Sequence, residues 1–151
     1  MEQLTNFING KLIQPKTDEY LDVFEPATGQ VYSKVPNSNS TDIDIAFQAA
    51  NAAFPGWSEL TVTDRSQYLH KIAELLEHQL DDFANYESRD TGKPVTLAQS
   101  VDIPRAIANF RFFADYGPTF KFDSEINSNQ SENRVVHAPL GVVGCISPWN
   151  L

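Results

Sequence analysis

The run Leu140-Gly141-Val142-Val143-Gly144-Cys145-Ile146 constrains the fold more than any other segment. It is short, apolar at both alternating positions and bounded by turn residues, so it predicts a strand buried on both faces. Such strands belong to sheets covered by helices on either side, which places the chain among α/β proteins. Only Ser147-Pro148-Trp149-Asn150-Leu151 follow it. A buried strand needs neighbours on either side, so this ending is expected of a domain whose sheet is begun and not completed.

Upstream the pattern is first β and then α. Phe7-Ile8, Asn9-Gly10 and Leu12-Ile13 predict a tight hairpin, because Asn-Gly readily takes the positive φ angles of a two-residue turn. Leu21 to Phe24 and Val31 to Val35 flank a second turn, Glu25-Pro26-Ala27-Thr28-Gly29, where Pro26 presets φ and Gly29 closes the bend. Pro36 to Ser40 reads as a loop. Thr41 with Asp44 resembles a capping box, and Ile45, Ala49, Ala52 and Ala53 share one side of the helix it opens. Pro55-Gly56 is expected to stop that helix.

Leu69, Ile72, Ala73, Leu76 and Leu80 follow the spacing of an amphipathic helix. It is expected to continue, with room for a break, through Phe83 and Tyr86 to Gly92, which suits a left-handed cap. Asp102 to Tyr116 predicts a further helix with Pro104 in its first turn and Ile103, Ile107, Phe110 and Ala114 on its buried side. Gly117-Pro118 ends it. Ser124 to Asn133 is polar and reads as an exposed loop or hairpin end.

The 151 residues carry 20 acidic and 11 basic side chains, a net charge of −9. That balance argues against nucleic acid or an anionic membrane as partner, since phosphate binding depends on clustered Lys and Arg. Apolar residues make up 41%, enough for a core. One cysteine, Cys145, excludes an internal disulfide framework and a Cys-rich zinc module. No apolar run approaches the roughly 20 residues that span a bilayer, and the first residues lack the pattern of a secretory signal. A soluble, cytoplasmic protein is expected.

Several residues invite chemical readings that their context weakens. Cys145 sits mid-strand beside Gly144 and Ile146, so it is expected to be a buried structural thiol with little thiolate. Gly141 and Gly144 do not match the G-x-G-x-x-G phosphate loop, and close backbone packing explains them better. His70, His78 and His137 show no metal-ligand spacing; His70 and His78 are placed on a solvated helix edge. Lys93 is expected to be solvated near a helix C-terminus, where the dipole favours it.

Six pieces, in order, resemble the aldehyde dehydrogenase superfamily: Phe7-Ile8-Asn9-Gly10, Pro26-Ala27-Thr28-Gly29, Ala53-Phe54-Pro55-Gly56-Trp57, Thr91-Gly92-Lys93-Pro94, Pro139-Leu140-Gly141-Val142-Val143-Gly144 and Ile146-Ser147-Pro148-Trp149-Asn150. Glu25 departs from the family, which usually has Asn before the turn proline. Asp102-Ile103-Pro104-Arg105, Asn109-Phe110-Arg111-Phe112-Phe113-Ala114 and Ile146 to Leu151 look like the branch that oxidises 2-hydroxymuconic and 2-aminomuconic semialdehydes. The family's enzymes are much longer. The resemblance therefore implies the N-terminal portion of an aldehyde dehydrogenase fold, with β-hairpins and helices leading into the first strand of an incomplete Rossmann-like sheet. It divides the chain into 1–121, the N-terminal part of the NAD-binding domain; 122–138, oligomerisation strands; and 139–151, the first core strand with its Pro-Trp-Asn loop.

In this family a cysteine thiolate attacks the aldehyde carbon, the resulting oxyanion expels hydride to the nicotinamide, and water hydrolyses the thioester. The resemblance places that cysteine, the general-base glutamate and most ribose- and phosphate-binding residues outside these 151 residues. It makes Asn150 the donor to the oxyanion, a neutral amide with two N–H groups; the plainer alternative is a loop-capping Asn. It puts Ile146, Ser147, Pro148 and Trp149 against NAD, with NADP left open, at the strand C-termini where α/β sheets bind dinucleotides. Arg105 opens a helix, where a cation opposes the macrodipole. Two explanations stand side by side: a bidentate clamp on a substrate carboxylate, or a surface ion pair of little worth. Phe122 to His137 corresponds to strands that join subunits of a homo-oligomer, with a protected sheet edge as the other explanation. The chain as it stands is expected to be inactive and poorly soluble or molten, and a non-catalytic interaction module is the competing function.

Overall fold

The computed structural model describes residues 2–121, 123–128 and 131–147. β1 (Glu2–Gln3) lies parallel to β5 (Gln30–Pro36), which pairs antiparallel with β4 (Tyr20–Glu25) to make a three-stranded sheet in the order β1-β5-β4. β2 (Asn6–Ile8) and β3 (Lys11–Ile13) form a separate hairpin with Asn6 opposite Ile13. Its turn is the expected one, since Asn9 and Gly10 both take positive φ, 53° and 72°. The second turn also forms, with Glu25 in place of Asn: the Thr28 and Gly29 amides donate to the Glu25 carbonyl at 3.2 and 2.8 Å, and the Thr28 hydroxyl donates to its carboxylate at 3.3 Å.

α1 (Ser40–Ser58) starts earlier and ends later than its sequence predicts. Asn39 is the cap and Asp42 its reciprocal partner, two residues before the expected Thr41 and Asp44 pair. Asn is a stronger cap than Thr, and Asp42 does double service. Only 2% exposed, its carboxylate receives the Asn39 amide at 3.1 Å and the Lys16 amide at 3.0 Å, which ties the loop after β3 to the helix start. Pro55-Gly56 does not stop the helix. Pro55 forgoes one donor, yet its carbonyl accepts the Ser58 hydroxyl at 3.0 Å and the Glu59 amide at 3.2 Å, so the last turn closes around it. The side predicted to be buried is only partly so: Ile45 and Ala49 are half-buried, Ala52 and Ala53 exposed.

The helical body follows. α2 (Val62–His78) and α3 (Leu80–Thr91) break at Gln79, and Gly92 caps α3 in the left-handed region at φ 78°. α4 (Val95–Leu97), a π-turn over Ala98–Asp102 and α5 (Ile103–Tyr116) form one helical run. Its core is where α2, α3, the π-turn and α5 converge on Ala73, Ala84, Ala98, Ile107 and Ala114. Alanine dominates because these helical segments approach closely. A bidentate contact between Arg111 of α5 and Glu77 of α2, at 2.6 and 3.2 Å, runs along the same seam. The sheet is pinned to α3 at Tyr32. Its hydroxyl donates to Asp90 at 2.7 Å, while the Arg89 guanidinium lies 4.4 Å from its ring centroid.

After a single 3₁₀ turn at Gly117–Thr119, β6 (Ser124–Ser128) and β7 (Ser131–Val135) pair as an antiparallel hairpin with Ser124 opposite Val135. The accessible surface is 11610 Å², against roughly 7,700 Å² for a compact monomer of this mass. The surplus includes large apolar side chains such as Phe7, Phe47, Tyr86, Phe112 and Phe113.

Two outcomes follow from these contacts. Asp42→Ala strands two backbone donors and is expected to cost about 2 kcal/mol, read as a lower urea midpoint; an unchanged midpoint would contradict the role given to Asp42. Burial first, and then the Asp90 carboxylate, push the Tyr32 phenol up from 10.0 to about 12. Because the folded state holds this proton more tightly, its contribution to stability is complete below pH 10 and disappears as the pH rises through about 12. Phenolate absorbance should show a component titrating near pH 12 that is lost in Tyr32→Phe, and a titration curve unchanged by that substitution would refute the contact.

Candidate functional site

The helix carrying Arg105 does not begin where its sequence suggests. Helical structure is continuous from Val95, and the Ile103 amide donates to the Ala98 carbonyl five residues back. The wider π-turn leads into Pro104, which has no amide to donate. Arg105 therefore lies inside a helical run, and the expected opposition to a helix N-terminus does not arise. It is exposed and makes no hydrogen bond or ion pair with any described residue. Asn109, one turn further along, is exposed on the same side; in the sequence it stands within a motif without a site role, and the i, i+4 spacing to Arg105 is the signal that links them. Toward the end of α5, Phe112 stacks on Tyr116 at 5.8 Å and meets Phe113 edge-on at 5.2 Å. Among the described residues, α5 thus presents a cation without a partner and a carboxamide next to an exposed aromatic surface.

Lys93 is not solvated as expected. Its side chain is 18% exposed, and the ammonium lies 2.7 Å from Asp102 and 2.9 Å from Glu87. Hydrogen bonding to Asp102, then to Glu87, raises its pKa above the ordinary lysine value. The turn that delivers it is built by two of the recurrent motifs together: a Cβ on Gly92 would come within 3.0 Å of the Pro26 side chain. Glycine is required there both for the positive φ and for the close approach.

The segment predicted as a core strand carries no regular secondary structure over residues 136–147. A strand exists by pairing, and no described strand lies beside this one. Leu140 is 91% and Ile146 99% exposed, and Cys145 is exposed instead of buried. Ser147 is exposed as well. Gly141 and Gly144 have no neighbouring atom within reach of an added Cβ, so neither is closely packed here. Pro148, Trp149 and Asn150 lie outside the described residues. Over its described residues this stretch presents apolar side chains and one exposed hydroxyl, that of Ser147. A cavity of about 580 Å³ separates residues 137–141 from Phe54, Trp57, Val62 and Arg65 at the α1–α2 corner.

The remaining candidates are simpler. β7 is exposed throughout, and the His137 amide donates to Asp123 at 3.2 Å across the base of the hairpin. His70 stands half-exposed at 3.2 Å from Asp115, joining α2 to α5 at the surface. Among the described residues no three His, Cys, Asp or Glu side chains gather as metal ligands, and no helix is long and apolar enough to cross a membrane.

The sequence matches the aldehyde dehydrogenase family over residues 13–151. The chain belongs to that family. It is 46% identical over 98% of its length to a 2-aminomuconic semialdehyde dehydrogenase of Bos taurus, and 38% identical over its full length to a 2-hydroxymuconic semialdehyde dehydrogenase of Pseudomonas sp. (strain CF600). It spans 30% and 32% of these two relatives. The NAD⁺ complex of an aldehyde dehydrogenase from Bacillus cereus superposes with a TM-score of 0.79 at 30% identity, covering 87% of this chain and 27% of that one. The structure accordingly represents an N-terminal portion of the aldehyde dehydrogenase fold.

Proposed function

We propose that the protein to which this segment belongs oxidises a carboxylated semialdehyde, of the 2-hydroxymuconic or 2-aminomuconic kind, to the carboxylate with NAD, NADP remaining open. The observation that carries this is Arg105: an exposed guanidinium with no partner among the described residues, on a helix face that continues into aromatic side chains. An unpaired cation beside apolar surface suits a ligand that is apolar along its length and anionic at one end. Arg105 would hold the carboxylate through two parallel N–H bonds, which orients the far end of the substrate for reaction. Similarity to semialdehyde dehydrogenases over nearly the whole chain supports the same substrate class.

Bound NAD would supply the two-electron acceptor. Ile146, Ser147, Pro148 and Trp149 are the residues proposed to lie against it, through apolar and backbone contacts. Asn150 is proposed to donate its amide N–H groups to the aldehyde oxygen as it turns anionic, a contribution typically worth about 10²–10³ in rate. Cys145 takes no part in this scheme, and the attacking thiolate and the general base are assigned to the remainder of the longer enzyme. The β6–β7 hairpin, whose β7 strand is exposed, is proposed to pair with another copy of the chain in a cytoplasmic homo-oligomer. The division at residues 121 and 138 follows from that role. A purely non-catalytic interaction module is the less favoured reading, because the similar proteins named above are dehydrogenases along the matched length.

In the complete enzyme, Arg105→Ala is expected to raise KM for a carboxylated semialdehyde roughly 30-fold, about 2 kcal/mol, and to leave an uncharged aldehyde unaffected. Equal effects on both substrates, or none, would refute the clamp. The purified 151-residue chain, mixed with aldehyde and NAD⁺, is expected to form no NADH; measurable NADH would overturn the assignment of the nucleophile to the rest of the enzyme.

A further inference from the structure

Arg105 stands three residues beyond the π-turn, and that turn is fastened to α3 at two points. Near its start, the Gln99 amide donates to Asp81 at 2.9 Å. At its last residue, Asp102 meets the Lys93 ammonium at 2.7 Å, while the same ammonium reaches Glu87 of α3 at 2.9 Å. One extra residue in a helical turn rotates everything after it by roughly 100° about the axis. The π-turn therefore decides which way the Arg105 side of α5 points, and whatever holds the π-turn holds the guanidinium.

We propose that Lys93 is a positioning residue for substrate: by bridging Glu87 and Asp102 it fixes the π-turn and so aims Arg105 at the carboxylate end of the aldehyde. This rests on the substrate role proposed for Arg105 and adds to it. The three groups are arranged for the task. Lys93 is largely withdrawn from solvent, with both carboxylates partly exposed beside it, so the bridge is less screened than an ordinary surface pair. Its backbone is equally constrained, with the Lys93 carbonyl accepting the Ser88 hydroxyl at 2.6 Å immediately after the glycine cap. The ammonium thus has a fixed origin and two fixed targets. Lys93 touches no substrate in this scheme; its effect is transmitted through Asp102 and one helical turn.

The test uses the complete enzyme and compares a carboxylated semialdehyde with an uncharged aldehyde. Lys93→Met should raise KM for the carboxylated substrate roughly tenfold, below the roughly hundredfold that a 1 Å misplacement can cost, with kcat and NAD affinity near wild type and the uncharged aldehyde unaffected. Lys93→Arg, which keeps a cation between the two carboxylates, should restore most of the loss. Asp102→Asn should reproduce the selective effect, and it carries the comparison if Lys93→Met does not fold. A loss shared equally by both aldehydes, with lowered thermal stability, would overturn the proposal and leave Lys93 as a staple of the fold. If Arg105→Ala raises the KM selectively and neither Lys93→Met nor Asp102→Asn does, the positioning role fails alone. If Arg105→Ala has no selective effect, the clamp fails and the positioning role with it.

Discussion

The close approach of four helical segments at Ala73, Ala84, Ala98 and Ala114 is the constraint on which the rest of the structure depends. Small side chains bring backbones together, and the resulting contact fixes α2 against α5 and seats the π-turn on α3. Larger residues at these positions would push the helices apart and cost on the order of 1–3 kcal/mol each. The polar contacts around this centre, Arg111 with Glu77 and Lys93 with Glu87 and Asp102, then set the angle and rotation at which α5 is presented. The chemistry proposed for the protein starts from that presentation, because Arg105 lies on α5.

Outside this centre the molecule is sparsely packed. α1 buries one residue, the charged Asp42, and leaves Ile43, Phe47 and Trp57 largely open. Leu140, Val143 and Ile146 are apolar and exposed. A fold that buries so little apolar surface for its size lacks much of the driving force that stabilises compact domains. The chain spans 30% and 32% of the length of the two semialdehyde dehydrogenases it matches along nearly all of its own length.

Legibility in the sequence followed the range of the forces involved. The Asn9-Gly10 hairpin, the turn around Pro26 and Gly29, the left-handed Gly92 and the buried side of α5 at Ile107 and Ala114 were all readable, since each depends on a few neighbouring residues. Errors came where distant partners decide. Asn39 displaced Thr41 as the cap of α1 because its partner Asp42 also serves Lys16; Pro55 was absorbed into a helix whose end it was expected to mark. The π-turn has no simple sequence pattern and changed the meaning of Arg105 from a helix-opening cation to one in mid-run. Lys93 read as solvated because neither carboxylate that holds it is adjacent in sequence. Cys145 read as buried because a strand pattern says nothing about whether its neighbours are present.

Two side chains of this segment are proposed to manage negative charge on the substrate, Arg105 at the carboxylate and Asn150 at the reacting oxygen. A crystal structure of the complete enzyme with NAD⁺ and a carboxylated semialdehyde tests this most directly. The Asn150 amide is expected about 2.7–3.1 Å from the aldehyde oxygen, with the Arg105 guanidinium paired with the carboxylate at the other end. Asn150 facing bulk solvent, with Arg105 paired to a protein carboxylate instead of the substrate, would contradict the proposal.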